Sequence, residues 1–373
     1  MRLSIAAIPL LAALTWGQAP LPPSPSSPSP TFDELSGKAR EAYEANRPDE
    51  AVELYGRALK LRPDWADGWW ALGMLEYQRD RYAECRDALT NMSRLDPAAA
   101  AGWALLGLCE FETKQYDLSF DHLKRAHMLV PPGVGGDLIG VADYHLGLLL
   151  IRQGAFEVSQ VILVSVAPRE KNNREMIFGA GLAALRMPIL PQEVAKADRE
   201  VVFLAGKTLW DVAFQPPAEA VADFATLLAK YSKFPNVHYF YGTYLAAHRP
   251  EEADQEFLEE LRITRESVPA RVQLVLRYLV EQRLDEALKL AREAVALSPD
   301  SVGAQLALGR ALRALGDDEK ALAAFLEAKK LDTISPEIRL YLVTAYRALG
   351  RVEEMRREQA DHDRLKKDQK NWP

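Results

Sequence analysis

The chain has 373 residues, 48% of them apolar, and a formal net charge of -7, with 46 Lys and Arg against 53 Asp and Glu. That apolar share supports a large core, and the mildly acidic balance excludes nucleic acid as a main partner, because duplex binding needs a strongly cationic face. Two cysteines are too few for a scaffold that depends on disulfides.

Arg2, an apolar stretch over residues 3–14 and small residues in Thr15-Trp16-Gly17-Gln18-Ala19 read as a secretory signal peptide over residues 1–19. The stretch is too short to span a bilayer comfortably, so the expectation is a periplasmic or secreted protein without stable membrane insertion, an uncleaved anchor being the alternative. Residues 20–31 form a Pro/Ser-rich linker, expected to be an extended, polyproline-like tether; a docking site or a glycosylated stalk is the sharper reading.

Beyond it, Pro63, Pro97 and Pro131 stand 34 residues apart. The residues between them repeat as Trp69, Leu72, Gly73, Tyr77, Cys85, Leu89, Met92, Pro97 and then Trp103, Leu106, Gly107, Phe111, Ser119, Leu123, Ala126, Pro131. An earlier copy keeps only Ala51, Tyr55, Ala58 and Pro63, with Ala39 at the glycine place. Apolar residues fall at helical spacing, broken at Arg47-Pro48-Asp49 and Asp80-Arg81, so each unit reads as two antiparallel helices. Gly73 and Gly107 cost about 1 kcal/mol each against alanine inside a helix, which points to close approach of the paired helix.

The pattern fades after the insertion Pro131-Pro132-Gly133-Val134-Gly135-Gly136, but Tyr144, Leu146 and Gly147, then Gly206 with Ala220 and Phe224, then Tyr241, Gly242, Ala253 and Phe257, keep its outline. Residues 187–193, with Pro188 and Pro191, are the least repeat-like and are expected to form a kink, a shortened helix or a hinge. It returns as Ala287, Ala291, Ala294 and Pro299, then Leu308, Gly309, Gly316, Ala321, Phe325 and Ala328, with Gly350 one period beyond Gly316. The charged stretch from Arg351 to Lys370 reads as a polar helix that closes the array.

A period of 34 residues with this W, LG, Y, A, F, P pattern resembles the tetratricopeptide-repeat family. The resemblance implies an all-α, right-handed superhelical solenoid of roughly nine antiparallel helix pairs. Its expected parts are three N-terminal units over residues 32–133, degenerate units over 134–268, C-terminal units over 269–350, and a capping helix and tail over 351–373. It also implies a concave groove lined by the first helix of each pair. The corresponding places hold Trp70, Met74 and Tyr77, then Leu108 and Phe111, then Tyr144, Leu148 and Ile151, an apolar and aromatic set; burial of these side chains against neighbouring repeats is the structural alternative. Arg310, Arg313 and Arg347 make the C-terminal part cationic. The lysines, arginines and asparagines with which some relatives hold a C-terminal carboxylate are missing from the N-terminal block.

Chemistry-bearing motifs are scarce. There is no GxSxG, HExxH, CxxC or calcium loop, and Gly206-Lys207-Thr208 lacks the earlier glycine of a phosphate loop, with Val201 in its place. His122, His127 and His145 have poor metal-ligand spacing and read as solvated or hydrogen-bonded, while Cys85 and Cys109 read as buried thiols, a bridge between repeats being the alternative. The expectation is therefore an exported scaffold or adaptor for protein or peptide partners, without catalysis, metal or small-molecule cofactor. The alternatives are a helical-repeat enzyme or accessory module with its site within residues 175–200, and a self-assembling structural element.

Overall fold

The computed structural model describes residues 30–131, 136–166 and 173–368. The signal-like segment, residues 20–29 of the linker, Pro132 to Gly135 of the insertion and residues 369–373 lie outside them. The described residues form nineteen α-helices and no strand, in two compact units. One comprises residues 1–153 with 161–175, the other residues 154–160 with 176–373, a division that falls inside the degenerate segment.

In the first unit α1 (Phe32–Glu44) pairs with α2 (Pro48–Leu61), α3 (Ala66–Gln78) with α4 (Tyr82–Leu95), and α5 (Ala100–Glu112) with α6 (Tyr116–Leu129), ahead of α7 (Asp137–Arg152). Each pair turns on a left-handed residue, Asn46, Asp80 or Lys114, at φ 54°, 57° and 60°. The second helices end two residues before Pro63, Pro97 and Pro131, and the carbonyls of the first two of these prolines are used again. Trp69 Nε1 donates to Pro63 O at 2.8 Å and Trp103 Nε1 to Pro97 O at 3.0 Å, tying each first helix to the loop before it. A Cβ on Gly73 or Gly107 would lie 2.6 Å from Leu89 or Leu123 of the paired helix, the close approach expected from the sequence. The cluster of Leu35, Ala39, Ala42, Ala51, Leu54, Tyr55, Ala58 and Leu75 begins the core.

Cys85 on α4 and Cys109 on α5 are disulfide-bonded, Cα to Cα 6.2 Å, and both are fully buried. This corrects the expectation of two separate thiols: adjacent repeats place the two positions face to face across the seam between pairs. The bridge closes 24 residues of chain. By loop entropy it stabilises this unit by about 3 kcal/mol. Cys85→Ala with Cys109→Ala is therefore expected to lower stability by that amount in urea titrations. A double variant as stable as the wild type, insensitive to reductant like its parent, would contradict the bridge.

The second unit takes part of α8 (Phe156–Val166) and most of α9 (Arg174–Ala184), followed by two short 3-10 turns, Pro191–Glu193 and Lys196–Asp198. The irregular stretch around Pro188 and Pro191 thus ends a short helix. Then α10 (Arg199–Phe214) packs on α11 (Pro217–Tyr231), α12 (Val237–His248) on α13 (Pro250–Ile263), α14 (Val268–Val280) on α15 (Leu284–Leu297), and α16 (Val302–Ala314) on α17 (Asp318–Leu331). Helices α9 and α10 cross at Gly181 and Gly206, where a Cβ on either would lie 1.8 or 1.7 Å from a backbone oxygen of the other helix. Asn236 holds the left-handed region at φ 66° before α12, and the buried Glu260 carboxylate accepts from Asn236 N and Tyr239 N, satisfying amides that helix geometry leaves open.

Regular repeats resume with serine caps one period apart: Ser267, Ser301 and Ser335 accept from the amides of Ala270, Ala304 and Ile338. Gln305 and Arg339 stand where tryptophan stands in the first unit and donate likewise, to Pro299 O at 2.9 Å and Thr333 O at 2.7 Å. Helix α18 (Pro336–Ala348) carries α19 (Val352–Asp368). It is held by Leu365, by His362 Nδ1–H donating to Pro336 O, and by Glu358, whose carboxylate meets Arg339 at 2.9 Å and Lys329 at 2.5 Å.

Candidate peptide-binding face

The expected groove residues of the first unit lie on α3, α5 and α7 and differ in exposure. Met74, Leu108, Tyr144 and Leu148 are buried, at 5%, 2%, 3% and 4% exposure, and Ile151 is fully buried. Trp70, Tyr77 and Phe111 stay half-buried. The cause lies in α5 and α7, which are apolar nearly all round: every residue from Gly102 to Glu110 is buried, as is most of α7. A helix without a polar side packs on several neighbours at once. His145 enters the same core, edge-on to Phe111 at 4.7 Å, with its Nδ1 2.8 Å from Val141 O. Burial pulls its imidazole down to about 4, which keeps it neutral.

At the N-terminal end the face opens into a pocket of about 140 Å³, lined by Arg40, Tyr43, Tyr55, Trp65, Asp67, Trp70, Ala71 and Met74. Trp65 forms its wall, stacked on Tyr55 at 5.7 Å and met edge-on by Phe32 at 5.0 Å. Burial, partly opposed by Arg40, pushes the Tyr55 phenol up to about 12, so it remains an un-ionised hydroxyl. Unlike Trp69 and Trp103, Trp70 makes no indole hydrogen bond to a described residue, and neither Arg40 nor Asp67 is ion-paired among them. Space for one ring therefore comes with two open donors and one open acceptor.

Arg40 and Tyr43 were missed by sequence reasoning, although a signal exists. They lie one period before Met74 and Tyr77, in the copy whose tryptophan and glycine are absent. Trp65 and Asp67 have no such marker.

In the second unit Arg310 lies over the Tyr341 ring at 5.9 Å, and Arg313 Nε is 4.0 Å from Asp318. Arg313 and Arg347 are exposed, and Arg347 has no ion-pair partner among the described residues. Leu340, 47% exposed, lies on α18 seven residues before Arg347.

Other sequence candidates have local partners. Lys207 lies inside α10, its ammonium 2.6 Å from Asp211 and 2.7 Å from Asp223, and Thr208 donates to Leu204 O, so these letters form helix interior. His122 meets the buried Glu110 at 2.7 Å and His127 meets Asp143 at 2.8 Å. Among the described residues no group of three or more His, Cys, Asp or Glu is arranged to hold a metal, and no helix is long and apolar enough to cross a membrane.

The tetratricopeptide-repeat family model matches residues 37–89 and 272–337. The first match contains the whole pocket and the second contains Arg310 and Arg313. No curated protein sequence matches the chain. Among solved structures, a MamA double mutant is similar at 18% identity over 46% of this chain and 96% of that one, TM-score 0.40. YrrB, described as a TPR protein with an unusual peptide-binding site, is similar at 16% identity over 51% and 89%, TM-score 0.38. A chain of the APC/C hetero-tetramer Cut9–Hcn1 is similar at 13% identity over 90% and 72%, TM-score 0.35. At these scores the likenesses carry no inference about a ligand.

Proposed function

We propose that this chain, a tetratricopeptide-repeat protein by its repeats at both ends, is an exported interaction scaffold that holds peptide segments of a partner protein on the first helices of its repeats. One observation carries the reading: the pocket at Trp70, where an aromatic cavity for a single ring sits beside an indole N–H, a guanidinium and a carboxylate that have no hydrogen-bond or ion-pair partner among the described residues. Such groups orient a peptide backbone while an apolar side chain anchors it. The second unit offers a separate cationic surface at Arg310, Arg313 and Arg347, suited to acidic residues. Export is supported by the signal-like residues 1–19 and by the Cys85–Cys109 bridge, since disulfides persist in oxidising compartments.

The test is capture of envelope proteins by the wild type, by Trp70→Ala and by Arg313→Glu with Arg347→Glu, each with an unchanged melting temperature. Leu108 is unsuitable for this purpose because it is core. A protein retained by the wild type, lost by Trp70→Ala and bound with a weaker salt dependence by the arginine variant is the expected result. Equal retention by all three would reject the reading.

A further inference from the structure

Asp67 stands one turn before Trp70 in α3, so the two side chains are neighbours on one side of the helix. Both line the pocket, and Asp67 is exposed, with no ion-pair or hydrogen-bond partner among the described residues. We propose that the pocket selects partner segments carrying a lysine or arginine beside the apolar residue that fills the cavity, with Asp67 as the group that reads the charge. This selectivity rests on the pocket being a peptide site and adds to that reading the chemistry of the partner.

Charge, wall and register agree. The pocket's cation, Arg40, is answered on its own helix: Glu44 lies one turn further along α1, and the two act on the Tyr55 phenol with opposite signs. In the loop before α3, Arg62 lies over the Phe32 ring at 3.6 Å, and Asp64 in the same loop adds a carboxylate. Asp67 is therefore left as the unbalanced charge on the α3 side. The wall beside it is fixed, because a Cβ on Gly68 would lie 2.1 Å from the Trp65 ring, and the missing side chain lets that indole rest on the first turn of α3. A guanidinium or ammonium brought to this turn meets a carboxylate and aromatic rings together, a setting that favours a cation over a neutral polar group. The carboxylate follows the repeat: Asp33 stands in the first turn of α1 one period before Asp67, exposed and without an ion pair among the described residues, whereas the third copy has Ala101 there. Over residues 32–131 the chain carries 18 Asp and Glu against 13 Lys and Arg. That surplus draws basic segments in and turns acidic ones away before contact. The exposed Arg313 and Arg347 of the second unit have the opposite preference, so the two units sort segments by charge.

The test pans a phage-displayed library of random octapeptides against the full-length chain, Asp67→Lys, Asp67→Asn and Trp70→Ala, each with an unchanged melting temperature. Only motifs lost in Trp70→Ala report on the pocket. Among these the wild type should enrich a Lys or Arg within two positions of an apolar anchor, and Asp67→Lys should enrich Asp or Glu in its place. The best wild-type peptide, titrated by anisotropy, should bind Asp67→Asn about fivefold more weakly than the wild type, a difference that shrinks in high salt. Asparagine keeps the shape of the side chain, so this variant carries the test if the lysine variant loses stability. Pocket motifs without a basic residue, the same basic motif from Asp67→Lys, or equal affinity for Asp67→Asn overturns the proposal and leaves the scaffold reading standing. If the wild type enriches no motif that Trp70→Ala loses, both fall.

Discussion

Gly181→Ala or Gly206→Ala should each lower the stability of the second unit by more than about 3 kcal/mol, beyond the usual cost of overpacking. Overpacking is commonly relieved by a yielding side chain, but here the obstacles are backbone. The new methyl would sit 1.8 Å from Val202 O in the first case and 1.7 Å from Ile177 O in the second, with the amide nitrogen of the opposite glycine at 3.0 and 2.9 Å. Helices α9 and α10 must part to admit it, and every contact along their crossing loosens together. Gly140 in α7 is the control, since the nearest atom to its Cβ would be Val166 Cγ1 at an ordinary 3.5 Å. Gly140→Ala should be neutral or gain up to about 1 kcal/mol from helix propensity. Urea titrations that gave the three variants the same small change would show that the crossing is not backbone to backbone.

Glu358→Ala should be comparably severe, about 3–5 kcal/mol, through a different cause. The Arg339 and Glu358 side chains are only 8% and 9% exposed, and Lys329 converges on the same carboxylate. Removing it leaves a buried guanidinium whose Nε already lacks a hydrogen-bond partner among the described residues, with Asp361 no nearer than 3.7 Å. Replacing both Arg339 and Glu358 by leucine should cost much less, because no charge is then stranded. In a stacked array the damage is local, so hydrogen exchange should accelerate first in α19. Protection of α19 unchanged in Glu358→Ala would remove the ion pair from the account of how the closing helix is held.

Both effects lie beyond what a repeat pattern conveys. The 34-residue period places helices and loops because glycine, proline and left-handed turn residues act locally, and α1 to α6 and α14 to α19 follow it. Which helix faces end up covered is a property of neighbours. Met74, Leu108, Tyr144 and Leu148 occupy groove positions by register and lie in the core because α5 and α7 have no polar side. Arg40 and Tyr43 line the pocket by the same register, concealed because their copy lost its tryptophan and glycine. Gly181 and Gly206, or Arg339 and Glu358, are unremarkable singly, and only the packing makes each a pair.

The disulfide has a mechanical consequence. A stack of helix pairs bends at the seams between pairs, each seam acting as a soft joint between stiffer plates. Cys85 and Cys109 rivet the seam between α4 and α5, so bending strain in the first unit is shifted to the unriveted joints on either side. One of these, between α2 and α3, runs beneath the pocket, whose walls come from Arg40 and Tyr43 on one side and Trp70 and Met74 on the other. The pocket therefore straddles a seam that the bridge leaves without a covalent tie.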